Sequence, residues 1–123
     1  MSIEQLRPET TYPAIVGRVL VCARKDAGLE QAQLARQVGI SQSTWSRIER
    51  GDSALTVEQL AKAAAALRTT TGRILTDADR AAKGLERQGV EVLLTRPKDT
   101  AKTALAIIGI AALALLVAQI LRK

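Results

Sequence analysis

The sequence predicts an all-α protein: five short helices, a linker helix with a candidate small strand, and a C-terminal hydrophobic helix read as transmembrane. Three observations carry this. Apolar residues are 47% of the 123, supplied by Ala, Leu, Val and Ile, with one Trp, one Tyr and no Phe. Ala and Leu lose little on entering a helix. Between Pro13 and Leu75 apolar positions recur at spacings of three and four, broken by glycines. From Thr103 to Leu121 the 19 residues carry no charge.

Composition also narrows function. With no His, the commonest general base and metal ligand is missing. A single Cys excludes an intrachain disulfide and a Cys-based zinc site. No enzymatic constellation, cofactor site or metal site is expected. The 18 Lys+Arg against 12 Asp+Glu give net +6, which suits a polyanion, either nucleic acid or an anionic membrane surface.

Residues 1–12 read as an arm, and MSIEQLRPET is unlike a secretory signal. Pro13 suits a helix first turn, and Val16, Leu20, Ala23 and Ala27 form one face. Gly28 stops that helix. A second runs from Glu30 to Val38 with Leu34, Ala35 and Val38 inward, and Gly39 breaks it. Ser41 is the N-cap candidate of a third, Gln42 to Arg50, with Trp45 and Ile48 inward, ended by Gly51. Thr56 caps a fourth, with Gln59 completing a capping box and Leu60, Ala63, Ala64 and Leu67 inward. A fifth is expected over Thr71 to Leu75. The segment from Gln31 to Gly51 combines small Ala35 at a close crossing, Gly39 at a turn needing positive φ, and Ile40 and Ile48 packing back. That is the mechanics of a helix-turn-helix.

In the linker, 76–102, Thr76 reads as an N-cap of a helix from Asp77 to Gln88, ended by Gly89. Val90 to Thr95 is a strand candidate. An isolated strand is unstable, so it is expected to pair with the same strand of a second subunit. Pro97 breaks the basic segment that follows. The run 103–121 spans about 28 Å as a helix, close to the ~30 Å bilayer core. It is apolar on every face, as in a membrane span or a helix buried in a soluble oligomer. A body of about 100 residues with its own core is not expected to bury such a rod, which favours the span. Arg122 and Lys123 form a basic tail able to snorkel. Arg96, Lys98 and Lys102 on the other side outnumber them three to two, placing the N-terminal side in the cytoplasm. Ala104, Ile107, Ala111, Ala114, Ala118 and Leu121 make a stripe suited to self-association under either reading.

Residues 15–75 resemble the Xre/Cro-type helix-turn-helix repressor family. The resemblance rests on Arg24, Gly28-Leu29, Gln31, Leu34-Ala35, Val38-Gly39, Ser41, Ser46, Ile48-Glu49, Gly51, Leu60 and Leu67. Trp45, Leu55 and Cys22 depart from the family pattern, and Cys22 reads as a small, partly buried apolar residue. The resemblance implies that the third helix enters the major groove of double-stranded DNA. It places Gln42, Ser43 and Arg47 at base edges, where Gln suits adenine and Arg suits guanine. Gln31, Thr44, Arg36 and Arg50 are phosphate candidates. Arg24 and Glu49 would form a structural pair orienting that helix. Tyr12 and Arg7 are further candidates for the DNA backbone.

The reading is therefore a sequence-specific DNA-binding regulator, a repressor and homodimer, tethered to the inner membrane by its C-terminal helix. Two alternatives stand beside it. One is a membrane scaffold that uses the same domain to bind protein. The other is a cytoplasmic plasmid or phage regulator, or antitoxin, whose C-terminal helix mediates oligomerisation. Fold does not choose among them, but a polar third helix favours DNA over a protein-docking role.

Overall fold

Thr11 closes a short strand and opens the first helix, its hydroxyl accepting from the backbone N–H of Ala14 at 3.1 Å. The computed structural model describes residues 7–95 and 108–122. Their order is β1 (Glu9–Thr11), α1 (Tyr12–Asp26), α2 (Gln31–Val38), α3 (Gln42–Glu49), α4 (Val57–Ala66), α5 (Thr71–Arg87), β2 (Glu91–Leu93) and α6 (Ile110–Arg122). The caps anticipated at Ser41 and Thr56 are present. Thr56 and Gln59 exchange side-chain and backbone hydrogen bonds at 3.0 and 2.9 Å. Gly39 closes α2 at φ 88, in the left-handed region where a side chain is strained. The core joins Ile15, Leu20, Leu34, Trp45, Ile74 and Leu85, all buried.

Two linker expectations are corrected. The helices expected at Thr71–Leu75 and Asp77–Gln88 are one helix, α5, started by Thr70 rather than restarted by Thr76. Ile74, Ala78, Ala81, Ala82 and Leu85 lie on one continuous buried stripe across the expected break. A Thr that can cap does not end a helix when nothing stops the preceding turn. The strand exists but pairs within the chain: β2 runs parallel to β1, with Thr10 opposite Val92 and Thr11 opposite Leu93. The N-terminal arm supplies the partner assigned to a second subunit, because Thr10 and Thr11 are buried and an edge is needed there.

The arm also redirects Tyr12. Its hydroxyl donates to Asp79 Oδ1 on α5 at 2.6 Å. Burial, then the hydrogen bond to Asp79 and its charge, push the Tyr12 pKa from 10 up to about 12. The fold thus holds the neutral phenol. The stability it adds is complete below pH 10 and is lost as pH rises through about 12. As the chain has one Tyr, near-ultraviolet absorbance should titrate with a single midpoint near 12 in the folded protein and near 10 in urea. Coincident midpoints would remove the contact.

The span expected of the C-terminal segment is not supported by the described residues. Residues 103–107, the flanking Arg96, Lys98 and Lys102, and Lys123 lie outside the described residues. The described helix, α6, has 13 residues, about 20 Å of rise. Among the described residues no helix is long and apolar enough to cross a membrane. Instead α6 docks on α1 and α5, burying Leu113 and Val117. The body does have a place for it, because α5 is one long helix. Gly84 leaves the notch: a Cβ there would lie 2.8 Å from Ile120 Cδ1. Arg80 Nη2 donates to the Leu121 carbonyl at 3.1 Å, satisfying one C-terminal acceptor of α6. Cys22 is half-buried on α1, as its small apolar reading implied, and burial followed by Asp26 pushes its thiol up.

Candidate nucleic-acid interface

Ser41 begins α3 with its hydroxyl accepting from the backbone N–H of Thr44 at 3.1 Å. The same hydroxyl donates to Thr44 Oγ1 at 2.9 Å and lies 3.2 Å from Ser43 Oγ. Eight residues follow, in two faces. Trp45, Ile48 and Glu49 are buried, whereas Gln42, Ser43 and Arg47 are exposed. The two faces are the geometric requirement for a helix to sit on its domain and present polar side chains outward. Arg47 is only loosely held, with Nη2 at 3.4 Å from Thr44 Oγ1.

Under the helix, Glu49 is 1% exposed and still fully partnered. Arg24 of α1 grips it through Nε to Oε2 at 2.7 Å and Nη2 to Oε1 at 3.2 Å. That is the expected structural pair, and Arg24 Nη1 also donates to the Leu29 carbonyl at 3.0 Å. Two further donors complete the site. Trp45 Nε1 reaches Oε2 at 2.7 Å, one turn back on α3, and Gln31 Nε2 of α2 reaches Oε1 at 2.6 Å. One carboxylate therefore ties α1, α2 and α3 together. An ionised carboxylate held by charge-assisted bonds is stable in a buried position only when so fully satisfied.

This changes the standing of some phosphate candidates. Gln31 is half-buried and has one amide hydrogen engaged by Glu49, so it acts first as a positioning residue. The half-buried Thr44 hydroxyl already accepts from Ser41. Arg36, in the last turn of α2, is exposed. Arg50 is also exposed, with Nε 3.4 Å from Asp52 Oδ2 in a half-exposed pair. Such a surface pair contributes little and yields to a phosphate.

Three features escaped the sequence reading. Gly17 lets α1 meet the end of α3: a Cβ there would fall 2.2 Å from the Glu49 carbonyl oxygen. Arg18, beside it, donates to that oxygen through Nη2 at 2.6 Å and Nε at 3.2 Å. Its burial lowers the guanidinium pKa, an effect the nearby Glu49 charge opposes. The third is the Trp45–Glu49 bond. A glycine inside a helical pattern is the usual sign of close approach, and Trp four residues before Glu places both on one face.

This arrangement agrees with the comparison to known proteins. Residues 15–75 match the family model described as a helix-turn-helix domain, and over that segment, about half its length, the chain belongs to that family. The match is consistent with the Xre/Cro-type resemblance. No curated protein matches the chain.

Proposed function

We propose that this protein is a DNA-binding transcriptional regulator that inserts α3 into the major groove. The supporting observation is the outward placement of Gln42, Ser43 and Arg47 on a helix whose other side is locked by Trp45, Ile48 and Glu49. Gln42 and Arg47 would read base edges; Ser43 would tolerate several. Arg36 and Arg50 would hold phosphates on either side, adding affinity without sequence preference. A polar helix face of this kind fits DNA better than a protein-docking role, which favours apolar and aromatic side chains. We read the protein as a binder, not an enzyme.

An eight-residue helix reads too few base pairs to select a site alone. A homodimer on two half-sites about 34 Å apart would supply the rest, and occupying a promoter in that way would make it a repressor. Membrane attachment remains a second reading, favoured by the uncharged run 103–121. Recovery of the untagged chain without detergent would exclude it.

The test is selection of a binding site from random duplexes, followed by affinity measurements over a salt series. Arg47→Ala should lower affinity at the selected site by about ten- to a hundredfold and relax its base preference. Arg36→Ala should weaken all sequences alike and reduce the salt slope by about one. If folded protein selects no sequence from the pool, the proposal is wrong.

A further inference from the structure

Helices α1, α5 and α6 border an open groove of about 1170 Å³. Its floor is apolar, made by Val19, Leu67 and Ile74, with Ala114 and Ala118 of α6 as one wall. Its rim is cationic. Arg18 and Lys25 come from α1, Arg73 and Arg80 from α5, and Arg122 from α6, against Asp26 and Asp77 among the described residues. Asp77 is already shared by Arg73 and Arg80, at 3.5 and 3.7 Å.

We propose that this groove binds an amphipathic anion, an alkyl or acyl chain ending in a carboxylate, and that the bound anion weakens DNA binding through Arg18. The regulatory half rests on the DNA-binding reading above; the binding half does not. The chemistry selects the ligand class. A bare inorganic anion gains nothing from an apolar floor, and a cationic or neutral chain gains nothing from the rim. The volume lies somewhat above the roughly 300–1,000 Å³ usual for small-molecule sites, so a long chain fits.

Arg18 supplies the connection. It lines the groove and donates two hydrogen bonds to the carbonyl of Glu49, the last residue of α3. A carboxylate in the groove is a charge-assisted acceptor and competes for that guanidinium against a neutral carbonyl. The end of α3 then loses one of its ties to α1, while the Arg24–Glu49 pair stays. Trp45, one turn back and hydrogen-bonded to the Glu49 side chain, should report the change in its fluorescence.

Dodecanoate, below its micellar concentration, is the probe. Calorimetry should show saturable one-to-one binding to the full chain, with a shift in Trp45 emission. Dodecyltrimethylammonium and dodecyl maltoside should bind at least about tenfold more weakly. The double change Arg73→Gln with Arg122→Gln should reduce dodecanoate affinity by a similar factor, and Ala114→Phe, which fills the groove, should abolish binding, both with native circular dichroism. Arg18→Met should bind dodecanoate more weakly through the remaining rim cations and show no Trp45 shift; a shift that persists overturns the route through Arg18. At saturation, affinity for the selected duplex should fall about tenfold, a usual size for coupling between sites. Equal binding of the cationic chain, or undiminished binding in both groove variants, overturns the site. An unchanged Trp45 signal in the native protein, or undiminished DNA affinity at saturation, overturns the coupling. If the chain binds no DNA, calorimetry and Trp45 emission still decide the binding half.

Discussion

Replacing Glu49 with Ala should cost about 3–5 kcal/mol of folding stability, the expected loss when one partner of a buried ion pair is removed. Arg24, at 12% side-chain exposure, would keep its charge and lose its only carboxylate partner among the described residues. Trp45 Nε1 and the Gln31 amide would lose their acceptor as well. An orphaned buried donor adds about 1–3 kcal/mol, so the loss should sit at the upper end of the range. Urea unfolding followed by far-ultraviolet circular dichroism measures it. The pairing argument makes a sharper demand on the double variant Arg24→Met with Glu49→Leu. It should be much less destabilised than the sum of the single changes, because an apolar replacement leaves no buried charge behind. Additive losses would show that Glu49 acts through packing alone. Trp45→Phe should cost less, because Glu49 keeps Arg24 and Gln31.

The second large effect is expected at Gly17. Two terms oppose each other in Gly17→Ala. Ala is favoured over Gly within a helix by about 1 kcal/mol. The new Cβ, however, would meet backbone atoms, the Glu49 oxygen at 2.2 Å and the Ile48 oxygen at 2.7 Å. Neither is the end of a flexible side chain, so α1 and α3 must separate and Arg18 must lengthen its bonds to the same oxygen. Overpacking of this kind costs about 1–3 kcal/mol or more and should outweigh the propensity gain. A net loss of about 1–2 kcal/mol is expected for Ala, larger for the branched Val. Gly72→Ala is the internal comparison, since in α5 nothing lies within 4 Å of its added Cβ and its φ is ordinary. It should stabilise by roughly 0.5–1 kcal/mol. A stabilised Gly17→Ala variant would show that the α1–α3 approach is not tight.

What could be read from the residues alone was local. Ser41, Thr56 and Gly39 act within one turn of their own positions, so spacing predicts them. The inward positions of α2 and α3 follow from their helical period, and the family resemblance correctly paired Arg24 with Glu49. Local signals were ambiguous at two places. Thr76 has the chemistry of a cap, yet only the continuous stripe from Ile74 to Leu85 decides that α5 does not restart there. The uncharged run 103–121 has the composition of a membrane segment. Its described part packs on the body because Gly84 opens a notch for Ile120, a fact held by two helices far apart in sequence.

By itself, then, the order of residues determined helices α1 to α4, the caps Ser41, Thr56 and Gly39 and the polar outer face of α3, since each depends on neighbours a turn away. Only the tertiary structure decided the partners of Glu49, the pairing of β2 with β1, the destination of Tyr12 and the docking of α6. Each of these joins segments distant in the chain, and geometry of that kind comes from the packed whole rather than from any period along it.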